Sequence, residues 1–181
     1  MTAPSQSDPV LRPAGPADVA AIQAIYAHHV LYGSASFEEI PPDEAEIERR
    51  RTAVLAQDLP YLVAEREGRI VGYAYLTPYR PRSAYRFTVE NSIYVAADEA
   101  GRGVGGMLLA ELILGAIALG MRQMVAVIGD SANRASIALH ERQGFVHAGV
   151  FRSVAFKHGR WLDSVLMQRA LGPGDTTLPV R

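Results

Sequence analysis

The 181-residue chain has no cysteine, one tryptophan, no excess of charge and no apolar run long enough to span a membrane. Without cysteine there is no disulfide, no thiolate metal site and no enzyme-bound thioester, so an acyl transfer would be direct or use another nucleophile. The 18 Lys and Arg against 19 Asp and Glu leave a net charge of −1, which excludes an electrostatic case for nucleic acid or an anionic membrane. Any basic site is local. Residues 1–9 lack the basic start and apolar stretch of a signal peptide, which is compatible with a cytoplasmic protein. What is present is 49% hydrophobic residues, enough at this length for one domain with a sizeable core.

Residues 1–9 and 172–181 are rich in Pro, Ser, Thr, Gly and Asp and read as flexible ends flanking a single domain over 10–171. Within it, 10–12 is a short strand, and Pro16 and Asp18 open a helix with Val19, Ile22, Tyr26 and His29 on one face. A second helix follows Pro42-Asp43, with Ile47, Val54 and Leu55 inward and the charged residues from Glu44 to Arg51 mostly outward. The runs 61–65 and 70–76 form a hairpin, 77–84 a loop, 85–95 a central strand, 103–119 an apolar helix and 124–128 a buried strand. A helix over 133–143 ends at Gly144, and 145–156 and 161–169 are the last strands. This order predicts an α/β fold: a mixed sheet of about seven strands, helices on both faces, and a parallel pair that splays where a cofactor can enter.

The most informative stretch is 85–109, a strand, a glycine-rich turn and an apolar helix in series. Glycines 101, 103, 105 and 106 let the backbone approach a ligand, and the helix start offers unpaired N–H groups to a pyrophosphate. Gly101 to Gly106 satisfies GxGxxG, with Asp130 near the position of a ribose-binding acid. Against a dinucleotide domain, residues 97–100 separate strand from glycine, and too little chain follows Asp130 for the remaining strands.

The same stretch resembles motif A of the GNAT N-acetyltransferases, Gln/Arg-x-x-Gly-x-Gly/Ala. Gly103 and Gly105 take the small positions, Ala100 stands where Gln or Arg is usual, and Arg102 is placed to supply the missing charge. Asn133 to Phe145, with Ser136 and with His140 in place of the usual Tyr, is similar to motif B. Thr88-Val89-Glu90, residues 125–129, Phe156-Lys157-His158-Gly159 and Trp161-Leu162-Asp163, with weaker similarity at Ser36-Phe37-Glu38 and 72–80, narrow the resemblance to phosphinothricin and methionine sulfoximine/sulfone N-acetyltransferases.

That resemblance implies acetyl-coenzyme A as co-substrate, no metal, a small amino-acid-like amine as acceptor, and a homodimer to which 156–161 contributes. Cofactor contacts are expected from Ile93, Tyr94, Val95, Gly101, Arg102, Gly103, Val104, Gly105, Gly106, Asn133 and Ser136. An amine attacks only as the free base, and α-amino groups have pKa values of about 8, so a base is needed. Glu90 is the candidate, facing with Thr88 and Ser92 away from Phe87, Val89, Ile93 and Val95. A backbone N–H at 93–95 would stabilise the carbonyl oxygen if the strand bulges there. His140 is the candidate acid for the leaving thiolate; Asn133 serves the pantetheine, its helix cap, or both. Arg80 or Arg86 is expected to hold a substrate carboxylate, with Phe37, Tyr79 and Tyr85 as walls. His28 and His29 have no third ligand and read as structural. An acceptor on a protein N-terminus, a polyamine, and a non-catalytic acyl-coenzyme A sensor are the alternatives.

Overall fold

The computed structural model describes residues 7–179. Seven strands, β1 (Val10–Pro13), β2 (Tyr61–Arg66), β3 (Arg69–Pro78), β4 (Thr88–Val95), β5 (Gln123–Gly129), β6 (Val146–Lys157) and β7 (Arg160–Ala170), form one sheet in the order β1-β2-β3-β4-β5-β7-β6. Among the described pairings only β4–β5 is parallel; a crossover helix joins these two neighbours and lets the second strand run in the same direction as the first. The β2–β3 turn has Glu67 and Gly68 at φ of 52° and 77°, the left-handed pair of a tight hairpin.

Four α-helices cover the faces: α1 (Val19–Tyr32), α2 (Glu44–Leu55), α3 (Val104–Ala118) and α4 (Arg134–Arg142). Asp43 caps α2 by accepting from Glu46 N–H at 2.8 Å. In α2 the inward face is Ile47, Arg51 and Val54; Leu55, expected inward, is exposed. Arg51 goes in because its fork finds the Ala14 carbonyl at 3.0 Å and Glu48 at 2.7 Å, which lets a guanidinium cover apolar neighbours while its charge stays paired. The fully buried Leu108, Leu109 and Leu112 of α3 each contribute about 1.5–3 kcal/mol relative to exposure.

The central strand begins at Thr88, not at 85, since Ser83–Tyr85 close a 3₁₀ turn. The end of the chain was expected to be loose from 172, yet the part described is held: Arg122 donates to the carbonyls of Gly174 and Leu178 and to Thr177 Oγ1 at 2.9–3.0 Å. Residues 1–6 and 180–181 of the expected flexible ends lie outside the described residues.

Candidate active site

β4 and β5 pair only from Thr88↔Gln123 to Asn91↔Ala126, and beyond that rung they separate. Ala96 N–H donates to Val71 O and Tyr79 N–H to Thr88 O, so even-numbered residues of β4 turn their backbone groups to β3. Odd-numbered residues therefore turn theirs toward β5, and at Ile93 and Val95 β5 has already moved away. The β3–β4 register is unbroken from Gly72↔Val95 to Pro78↔Val89, so no bulge presents the N–H groups of 93–95; the splay does. The Val95 carbonyl is met by His29 Nε2 at 2.9 Å, which gives His29 a place at the cleft that the sequence did not suggest.

The gap between the strands opens into a cavity of about 460 Å³, within the range of ligand sites. Ile93, Tyr94, Val95, Gly101, Gly103, Val104, Gly105, Gly106, Asn133 and Ser136 line it, as does His140. Gly103 is the N-cap of α3 at φ 84°, a conformation that costs an L side chain strain although space there is open. Asn133 caps α4 by accepting from Ser136 N–H at 3.2 Å.

Arg102 does not line the cavity; it reaches Glu99 at 3.6 Å. Glu99, 3% exposed, also holds Arg66 and Arg69, so three guanidinium groups surround one carboxylate behind the glycine turn. Glu99 and Ala100 line the cavity, the three guanidinium groups lie behind them, and Asp98 also pairs with Arg69. Arg142 and Asn91, neither of them singled out in the sequence, also line the wall. The signal for Asn91 was available: it is a lone amide on the apolar face of β4 between Val89 and Ile93.

The two faces of β4 carry different chemistry. Tyr94 packs edge-on against Tyr26 of α1 at 5.0 Å, and Tyr75 bonds Ser92, so Glu90, Ser92 and Tyr94 share the α1 side. Asn91 meets His140 on the α4 side, so Glu90 and His140 lie on opposite faces and communicate only through the cleft. Glu90 sits just outside the cavity wall, opposite Thr77 and Val125. Burial raises the pKa of its half-buried carboxyl, and Arg80 opposes that shift.

Arg80 and Arg86 are separated by the fold. Arg80 acts on Glu90 and lies over the Tyr79 ring at 5.1 Å; Arg86 folds onto Phe87 at 4.6 Å and donates to Ser83 O. Tyr85 stands edge-on to Tyr79 at 5.7 Å. Phe37 lies against Gly129, where a Cβ would fall 2.1 Å from the Ser34 carbonyl, so glycine alone lets this loop reach the end of β5. Buried Lys157 holds the same loop from β6, donating to Gly33 O at 3.0 Å and Ser36 O at 2.7 Å. Among the described residues no three His, Asp or Glu cluster as a metal site.

A strand-splayed cleft with a glycine turn at a helix N-terminus is a setting that suits a phosphate-bearing ligand with an extended arm. The profile of the acetyltransferase (GNAT) family matches residues 22–145, and the chain belongs to that family. It is 60% identical over 162 residues to a phosphinothricin N-acetyltransferase of Alcaligenes faecalis, covering 90% of this chain and 82% of that protein. It is 43% identical over 164 residues to an L-methionine sulfoximine/L-methionine sulfone acetyltransferase of Pseudomonas aeruginosa, covering 90% and 95%. A crystal structure of a phosphinothricin acetyltransferase from Sinorhizobium meliloti in complex with acetyl-coenzyme A superposes with a TM-score of 0.94 at 46% identity, covering 97% and 95%. The chain is an N-acetyltransferase with acetyl-coenzyme A as its acyl donor.

Proposed function

We propose that the chain acetylates the free amine of a small amino acid of the phosphinothricin or methionine sulfoximine/sulfone type by direct attack, with Glu90 as general base. The observation that carries this reading is the Glu90 carboxyl, half-buried beside the splay with its pKa raised by burial, a setting that suits proton uptake closer to neutral pH. The amine lone pair forms the N–C bond, the C–S bond breaks with its electrons on sulfur, Glu90 takes the amine proton and His140 gives one to sulfur. Solvent then returns both groups to their starting states. Ile93 and Val95 present backbone groups to the pantetheine, the N–H groups of 103–106 receive the pyrophosphate, and the Arg66, Arg69 and Arg102 cluster adds charge behind it. Arg80 is the partner for a substrate carboxylate, and Phe37 and Tyr85 are the proposed walls of the acceptor pocket. Use of acetyl-coenzyme A fits a cytoplasmic enzyme, and the exposed apolar face of β6 and β7 fits a homodimer.

Release of thiol from acetyl-coenzyme A with a panel of amino acids tests the substrate class; methionine sulfone and phosphinothricin should rank above their decarboxylated amines. Glu90→Gln should lower turnover by about 10²- to 10⁴-fold while calorimetry shows unchanged coenzyme A binding. A wild-type rate near pH 7 in that variant removes Glu90 from the mechanism.

A further inference from the structure

Asn91 is 6% exposed, His140 is 4% exposed, and both reach the cavity at the last rung where β4 and β5 are paired. Asn91 Nδ2 donates to Val125 O at 3.1 Å, and that bond fixes the amide's orientation, because the reversed amide would set two acceptors against each other. Its Oδ1 is thereby turned to His140 Nε2 at 3.0 Å. The other ring nitrogen, Nδ1, lies 2.8 Å from Ser136 O. Both ring nitrogens thus face oxygens that only accept. A neutral imidazole has one N–H and can satisfy one of them; the imidazolium satisfies both.

We propose that Asn91 is a positioning residue of the acyl transfer, whose side-chain carbonyl keeps the transferable second proton on His140 Nε2. The proposal rests on the reading of His140 as the acid. Ser136 O by itself selects the neutral ring with its proton on Nδ1, turned back onto α4, and that form has nothing to give. With Asn91 in place the ring is charged before transfer, and after Nε2 protonates the sulfur it relaxes to the Nδ1–H form that Ser136 already supports.

Burial holds the pKa of the ring below the ordinary imidazole value and so works against the second proton, with the bond to Ser136 O opposing it. Among the described residues no carboxylate bonds the ring: it meets Asn91 from β4, Ser136 from α4 and Phe145 from the turn after α4, the two rings perpendicular at 5.0 Å. Glu90 points to the opposite face, and of the charged residues that follow on α4, Glu141 is exposed and bonded to His147 while Arg142 is exposed. The two acceptors are what favour the cation.

Two near-isosteric variants separate this role from simple bracing of the strands. Asn91→Leu and Asn91→Asp both lose the donation to Val125 O, but only Asp keeps an acceptor for Nε2. Nitrogen-15 NMR of the imidazole, recorded against pH in the coenzyme A complex, should show His140 losing its second proton at the lowest pH in Asn91→Leu and at the highest in Asn91→Asp, with the wild type between. The basic limb of kcat should move in the same order, with kcat of Asn91→Leu lower by about tenfold or more at neutral pH and the acetyl-coenzyme A KM nearly unchanged. Equal impairment of both variants, or a wild-type ring that stays neutral throughout the active pH range, overturns the proposal. If the NMR order holds but His140→Ala retains full kcat, the acid reading fails and the proposal with it, while the hydrogen-bond assignment survives.

Discussion

Glu90 feels two influences of opposite sign, and their balance sets where the proposed base loses its proton. Burial is the larger and raises the pKa; Arg80 lowers it. Since the folded-state pKa is raised, the basic form is lost as pH falls at a point above that of a solvated glutamate, and the acid limb of kcat/KM lies correspondingly high. Arg80→Gln removes the opposing charge, so that limb should move to higher pH while the KM of an amino-acid substrate rises. Losing one charge-assisted bond costs about 1.5–3 kcal/mol, which in KM is roughly tenfold or more. Arg86→Gln should do neither, because its guanidinium is turned onto Phe87 and Ser83 O. A pH profile in which the two variants shift alike would show that Arg80 has no privileged access to the base. The same raised pKa has a stability consequence: an ionised carboxylate there is disfavoured, so Glu90→Gln should melt no lower than wild type at pH 7.

Among the elements, the loop of 33–40 depends on parts distant in sequence. Lys157 donates to Gly33 O and Ser36 O from the end of β6, His158 Nε2 lies 3.3 Å from Gly33 O, and Gly129 gives the loop room at the end of β5. Within that loop Glu38 accepts from Tyr26 and Arg50, fixing its register against α1 and α2. Lys157→Met removes both ammonium bonds while keeping the stem, leaving acceptors short of a partner at a cost of about 1–3 kcal/mol. It should lower Tm and raise the acceptor KM, with a smaller change for acetyl-coenzyme A, to whose cavity this loop contributes Ala35. Equal rises in both KM values would mean that the loop serves the whole cleft.

Such long-range ties explain what the sequence left unread. The helix after the glycine turn, the hairpins and the splayed parallel pair were legible because each rests on local signals: periodicity, Gly at a turn, a crossover of sufficient length. Tyr85 to Phe87 read as strand because aromatic residues favour strands, yet Arg86 N–H bonds Ser83 O and closes a turn instead. Arg51 read among the mostly outward charges, and Lys157 gave no sign of holding a loop, because their acceptors, Ala14 O and the carbonyls of Gly33 and Ser36, become neighbours only in the folded chain. His29 likewise owes its role to Val95 O, 66 positions away.

At the scale of the whole molecule, the sheet ends on an unusual edge. β6 pairs with β7 alone, and Val146, Val150, Phe151, Val154, Phe156 and Trp161 are exposed there, the last at 64%, with Phe156 and Trp161 packed edge-on at 5.4 Å. A long apolar edge of this kind, left in water, is both an interaction surface and an aggregation hazard. Its register shifts between Phe151 and Ala155, where Ser153 takes a φ of 51° and its N–H is held by Asp163 at 2.9 Å, so the middle of the strand is shaped by side-chain bonding rather than by a continued ladder. Periodicity could not separate this edge from core, since its Val and Phe residues read the same whether a second sheet layer or a second copy covers them. Covering by a second copy predicts that Val154→Glu, which places a charge on the exposed face without touching the cleft, halves the mass measured by light scattering and removes the dependence of Tm on protein concentration. Because Lys157 and His158 at the end of this same hairpin hold the acceptor loop, the monomeric variant should also show a raised acceptor KM. A wild-type chain that is already monomeric at micromolar concentration, or a charged variant of undiminished mass, would remove the second copy from this face.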